Sequence, residues 1–143
     1  MNRTEQKERL TDILLSIKDL KDELKSKINN VEVAFKKIDD LTDSIYNIAQ
    51  VDSWDEEQLK SDILKAIFED ILAPVHEEIY DFKSDLDSYM DEISESKQEA
   101  LEEKYSNLEE VLEKFDVNQE YDDIENALEY IEEAETMIKE MKK

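Results

Sequence analysis

The 143-residue chain contains no glycine, no cysteine and a single proline, Pro74. Glycine supplies the positive φ that hairpin turns and many helix C-caps use, so its absence nearly excludes a sheet fold built on tight turns. Without a thiol there is neither a disulfide framework nor thiolate chemistry, which fits a cytoplasmic protein. The longest apolar run, Ile71 to Val75, falls far short of the ~20 residues that cross a bilayer. The N-terminus carries charge where a secretory signal needs an apolar stretch. These absences lead to the expectation of a soluble, cytoplasmic protein, neither membrane-bound nor exported by that route.

Positive charge is also scarce, with 18 Lys and Arg against 41 Asp and Glu and a net charge of -23. The deficit is uneven: residues 1–50 hold 9 basic and 10 acidic side chains, whereas residues 51–143 hold 9 and 31, a net of -22. A dense field of one sign attracts the opposite sign over about a Debye length, ~8 Å at physiological salt. It favours a basic protein as partner and disfavours direct contact with nucleic acid or an anionic membrane. Charged residues make up 41% and apolar ones 39%. Because the apolar residues are regularly spaced, the chain is expected to fold in spite of its self-repulsion.

What is present in abundance is helical periodicity. Leu10, Ile13, Ile17, Leu20, Leu24, Ile28, Val31, Phe35, Ile38, Leu41, Ile45 and Ile48 lie three or four apart and predict one helix over about 5–50. The steps are not a strict heptad, so a broad bundle face is expected rather than a two-stranded zipper. Ser53 and Glu56 have capping-box spacing, and Leu59, Ile63, Ile67 and Ile71 carry the face of a second helix over 54–72. Pro74 either kinks that helix, ends it, or opens the next. Ile79, Phe82, Leu86, Tyr89, Ile93, Leu101, Tyr105, Leu108, Leu112 and Phe115 predict a third helix over 75–115, with Ser96 and Glu99 marking an alternative turn near 94–97. Asn118 is a cap candidate for a last helix over 119–142, marked by Tyr121, Ile124, Leu128, Ile131, Ile138 and Met141, with Ala134 filling the seam beside Glu135. The expected fold is all-α: a single domain over 1–143 forming an elongated antiparallel bundle of three or four long helices.

Few residues suggest chemistry. His76 is the one histidine, with no second His at i+4 and no Glu three residues before it, so a partly exposed histidine near a helix start is the plainer reading than a metal ligand. Asp116, Asn118, Glu120 and Asp122 alternate oxygen ligands as a calcium loop begins, but the sharp-turn glycine is missing and position 12 would be Ala127. No nucleophile with its base, phosphate-cradling loop or cofactor motif can be read, so the expectation is a non-enzyme without cofactors. Trp54 is expected to pack over the end of helix one rather than serve as an exposed anchor, and Tyr80, Tyr89, Tyr105, Tyr121 and Tyr130 to line the core edge.

The acidic surface itself has two readings. In one, it imitates a phosphate backbone: two or three helices side by side approach one charge every ~2 to 3 Å, against ~1.7 Å for duplex DNA. Such a rod could occupy the basic groove of a nuclease or defence factor, through outward carboxylates such as Glu102, Glu103, Glu109, Glu110, Asp122, Asp123, Glu125, Glu129, Glu132 and Glu133. In the other, charge provides solubility and the apolar stripes continue into a partner's helices or a homo-oligomer, as in a scaffold, adaptor or small chaperone. The near-neutral first helix favours the first reading, because it would let acidic helices gather without maximal repulsion.

Overall fold

The computed structural model describes residues 1–48, 54–119 and 121–143, and every regular element among them is helical. The elements are α1 (Arg3–Ile48), α2 (Glu56–Met90), α3 (Glu95–Lys104), α4 (Leu108–Glu113) and α5 (Ile124–Lys142). At 1.5 Å per residue the 46-residue α1 is about 69 Å long and sets the length of the molecule. α1 packs against α2 and α5, α4 against both α2 and α5, and α3 against α2. The order closes a ring of four at one end, with α3 and α4 sharing the fourth position. Arg9 meets Asp85 while Asp39 meets Lys60, so α1 and α2 run antiparallel. Arg3 reaches Met141 and Lys21 reaches Glu135, so α5 also runs against α1. The expected all-α antiparallel bundle is the one observed.

Leu10, Ile13, Ile17, Leu20 and Leu24 are withdrawn from water on α1, opposite Phe68, Leu72, Ile79, Phe82 and Leu86 of α2 and Ile124, Ala127, Ile131, Ala134 and Ile138 of α5. Full burial of side chains of this size stabilises by about 1.5–3 kcal/mol each. Ala134 fills the α5 seam as expected. Its neighbour Glu135 turns aside to Lys21 at 2.9 Å, and both side chains are only 16% exposed. Beyond residue 31 the ring opens. On α1 only Val31, Ile38 and Thr42 are still buried among the described side chains, and on α2 before Phe68 only Leu64. This upper part is a two-helix arm, closed by Trp54, whose indole Nε1 donates to Thr42 Oγ1 at 2.7 Å while that hydroxyl donates to the Ile38 carbonyl. Trp54 therefore packs on the end of the first helix, as expected.

The boundaries after residue 50 differ from those expected. In place of two helices over 54–72 and 75–115, one 35-residue helix passes through Pro74 and stops at Met90, and the shorter α3 and α4 follow it. Pro74 lies on the exposed side while Ile71, Leu72, Val75 and Ile79 bury the other, and that packing outweighs the lost N–H and the ring clash. The Ser53 cap lies outside the described residues, as does the expected helix end at residues 49–50. The described N-cap is Asp55, accepting from Gln58 N at 3.0 Å. The chain turns at 91–93, Ser94 opens α3, and the Ser96–Glu99 pair falls inside that helix. A second interruption at 105–107 turns Tyr105 inward, where its ring meets Phe82 edge-on at 5.7 Å. The last helix starts at Ile124, not near 119, because Asp123 rather than Asn118 caps it, accepting from Asn126 N at 2.7 Å.

The closed end is tied by a polar node. Arg3 donates to Tyr105 Oη at 2.9 Å and to the Met141 carbonyl at 2.7 Å, and Tyr105 donates to Gln6 Oε1 at 2.9 Å. Gln6 is 3% exposed, so its amide depends on these partners. Replacing Tyr105 with Phe is expected to destabilise the protein by about 1–3 kcal/mol, read as a lower midpoint in thermal unfolding followed by circular dichroism; an unchanged midpoint would show that the node carries no stability. Pro74→Ala is expected to do the opposite and raise the midpoint, because an exposed mid-helix proline costs about 3 kcal/mol relative to alanine. A lowered midpoint would mean that α2 needs the shape proline imposes.

Candidate carboxylate surface

The ten carboxylates singled out from the sequence are all exposed, and local periodicity explains why. On α5 the buried residues Ile124, Ala127, Leu128, Ile131, Ala134 and Ile138 claim one side, leaving Glu125, Glu129, Glu132 and Glu133 on the other. On α4, burial of Leu108, Val111 and Leu112 turns Glu109 and Glu110 outward. α3 buries no residue, and Glu102 and Glu103 stand on a helix held by few contacts. Asp122 is exposed in the link before α5, next to Asp123. The ring order makes α4 and α5 neighbours, so their acids share one end of the molecule.

Three of the ten have structural partners. Glu133 accepts from Lys114 Nζ at 3.0 Å, Glu109 lies 3.4 Å from Lys83 Nζ, and Asp123 is the α5 cap. The others form no ion pair among the described residues. Lys114 is the cation that sequence reasoning missed. It is 8% exposed, sits 5.0 Å over the Tyr130 ring and joins α4 to α5 beneath the acidic layer. No local signal marks it, since Glu113 precedes it and its burial depends on Glu133 and Tyr130. Burial pulls the Lys83 ammonium down, but Asp87 and Glu109 outweigh it and hold its pKa above the ordinary value. On the arm, hydrogen bonds to Asp39 and then Glu56 raise Lys60 in the same sense.

Beside the acids lies an open cleft of about 670 Å³, where the four-helix end meets the arm. Its lining includes Phe35, Leu64, Phe68 and Tyr121, with Lys60 and Asp122 at its edges. Tyr121 anchors this shoulder: it donates to the Lys114 carbonyl at 2.6 Å and meets Phe68 edge-on at 5.1 Å. Burial, with Tyr130 and Asp116 adding to it, pushes its phenol up to about 12. Tyr105 is shifted the same way by burial, against Arg3. Tyr80, 56% exposed, lies outside the core edge expected for it, whereas Tyr130 keeps to that edge, with its ring 5.6 Å from the Tyr121 ring and beneath Lys114.

His76 is half-buried in the interior of α2 and not near a helix start as expected, because the helix runs through Pro74. Asp116 accepts from Asn118 N at 2.9 Å in a tight turn, and Glu120 lies outside the described residues. No three His, Asp or Glu side chains converge as a metal set among the described residues. No helix among them is long and apolar enough to cross a membrane. In comparison with family models, curated proteins and solved structures, the chain matches none.

The Tyr121 environment has a measurable consequence. A phenol whose pKa is about 12 in the folded state and ordinary, ~10, in the unfolded state keeps its proton on folding. Its contribution to stability is complete below pH ~10 and is lost as pH rises toward 12. Ultraviolet titration of the tyrosines should therefore show a late-ionising group that disappears in Tyr121→Phe. A variant with the same late step would exclude this assignment.

Proposed function

We propose that this protein is a non-catalytic, cytoplasmic interaction protein. It binds and blocks a basic, nucleic-acid-binding protein by presenting carboxylates in place of a phosphate backbone. The observation that supports this reading best is the grouping of exposed acids on α3, α4 and α5, most of them without an ion-pair partner among the described residues. Like charges three or four apart on a helix cost about 0.2–0.5 kcal/mol per pair, and Glu125, Glu129, Glu132 and Glu133 repeat that arrangement on one face. A surface that accepts this cost gains a field able to steer a basic partner and exclude that partner's own nucleic acid. Binding of this kind is collective, so no single carboxylate dominates.

A second reading, an adaptor that binds partner helices, is favoured by one separate observation. Leu41 and Leu59, expected to lie in the core, are 53% and 37% exposed on the arm.

The two readings separate in a tagged pull-down from the native host's lysate, washed at low and at high salt. Blocking by mimicry gives a nucleic-acid-binding protein that is released by salt and displaced by DNA or RNA. The combined variant Glu125→Lys, Glu129→Lys, Glu132→Lys should weaken that capture at least about tenfold, and each single change much less. A partner that resists high salt and ignores the triple variant would end the mimicry reading.

A further inference from the structure

α3 lacks the supports that hold the other helices in place. It buries none of its ten residues, whereas the shorter α4 buries Leu108, Val111 and Leu112. Asp55 and Asp123 cap α2 and α5 through their side chains, but Ser94 makes no such bond at the start of α3, its hydroxyl lying near that of Ser96. No ion pair ties α3 to another helix among the described residues. Its one apolar side chain against the core, Leu101, is only half-buried. Isolated helices shorter than ~12–15 residues are marginal in water, so α3 has little stability of its own to make up the difference.

Its charges work against it as well. Glu99 lies four residues from Glu95, three from Glu102 and four from Glu103, and all four carboxylates are exposed. Neither Lys97 nor Lys104 has an acid three or four residues away, so every charged pair at helical spacing within α3 is Glu on Glu. Glu95 in the first turn and Lys104 in the last suit the helix dipole, but Glu102 and Glu103 stand where it favours cations. α5 also exposes neighbouring glutamates, yet it buries seven side chains and has a side-chain cap to hold it. In α3 the repulsion meets no such opposition.

Both ends of the segment are nevertheless fixed. Met90 packs against the core before the turn at 91–93, and beyond α3 Tyr105 is 7% exposed and bonded to Arg3 and Gln6. Melting α3 between these anchors takes none of its side chains out of full burial, so the rest of the bundle has no need to follow. We propose that α3 is a charge-sensitive strap: it unfolds and re-forms between Met90 and Tyr105 while the bundle stays intact, and screening of its glutamates shifts it toward helix. Opening changes the placing of Glu102 and Glu103 while the acids on α4 and α5 keep theirs. The strap is independent of what those carboxylates bind.

Hydrogen exchange of the full chain, followed amide by amide by nuclear magnetic resonance, tests this. The amides of Gln98 to Tyr105, which donate within α3 from Gln98 to Ser94 onward, should have protection factors at least about tenfold below those in the middle of α5. Raising the salt concentration should increase protection in α3 and leave α5 unchanged, because the like-charge pairs of α3 are the ones being screened. Glu99→Lys turns all three repulsions into attractions at an exposed position. It should raise α3 protection at least about threefold and abolish the gain with salt. Unchanged α5 protection in the same sample shows that the variant is folded. Protection in α3 equal to that in α5 overturns the proposal, as does an α3 that opens only together with the whole bundle in mild denaturant. A Glu99→Lys variant with unaltered α3 protection would equally exclude charge as the control.

Discussion

The α1 side chains from Leu10 to Leu24 are almost wholly withdrawn from water, and α2 and α5 both close against them. This burial has to hold together segments that repel one another. The helices and links after residue 50 carry nearly all of the net charge, while α1 is balanced. The ring order puts α1 next to both long acidic helices and α2 across from α5. Arg9, Lys21 and Arg3 then reach outward from α1 to Asp85, Glu135 and the Met141 carbonyl. Apolar burial supplies the cohesion, and the cations of α1 supply local relief where acidic helices approach.

The same arrangement explains why the two ends of the molecule differ. Where α4 and α5 complete the ring, polar groups that enter the core are satisfied, as in the Arg3–Gln6–Tyr105 node and the Tyr121 hydroxyl on the Lys114 carbonyl. No buried side-chain nitrogen or oxygen among the described residues lacks a partner. Where α1 outruns α5, the core narrows to a single seam and apolar side chains stand exposed. One end carries exposed carboxylates and the other the exposed Leu41 and Leu59.

Much of the fold was legible in residue spacing. The first helix, its core positions down to Leu24, the substitution of Ala134 for Glu135 and the packing of Trp54 on helix one all follow from periodicity and side-chain character. The interior boundaries were not. Local rules leave Pro74 open as a kink, an end or a start, and packing decides it: it lies on the exposed side of a helix whose other side is buried. Tyr105 continues an apolar stripe in sequence, yet the chain bends there because Arg3, Gln6 and Phe82 are waiting in space. The outward carboxylates could be named from the sequence because outwardness is periodic; Lys114, inside their layer, could not, since its place depends on Glu133 and Tyr130.

By itself, then, the sequence determined that this chain is helical, long and acidic on one part, because the absence of glycine, the three-and-four spacing and the charge balance are all properties of the chain read along its length. Only tertiary structure decided that Leu41 and Leu59 are left in water, that α2 runs unbroken through Pro74, and that α4 packs against α5. Periodicity specifies that a helix has an apolar face but not how many partners cover it. Coverage depends on where the other helices end, and here α5 is 19 residues long against 46 for α1.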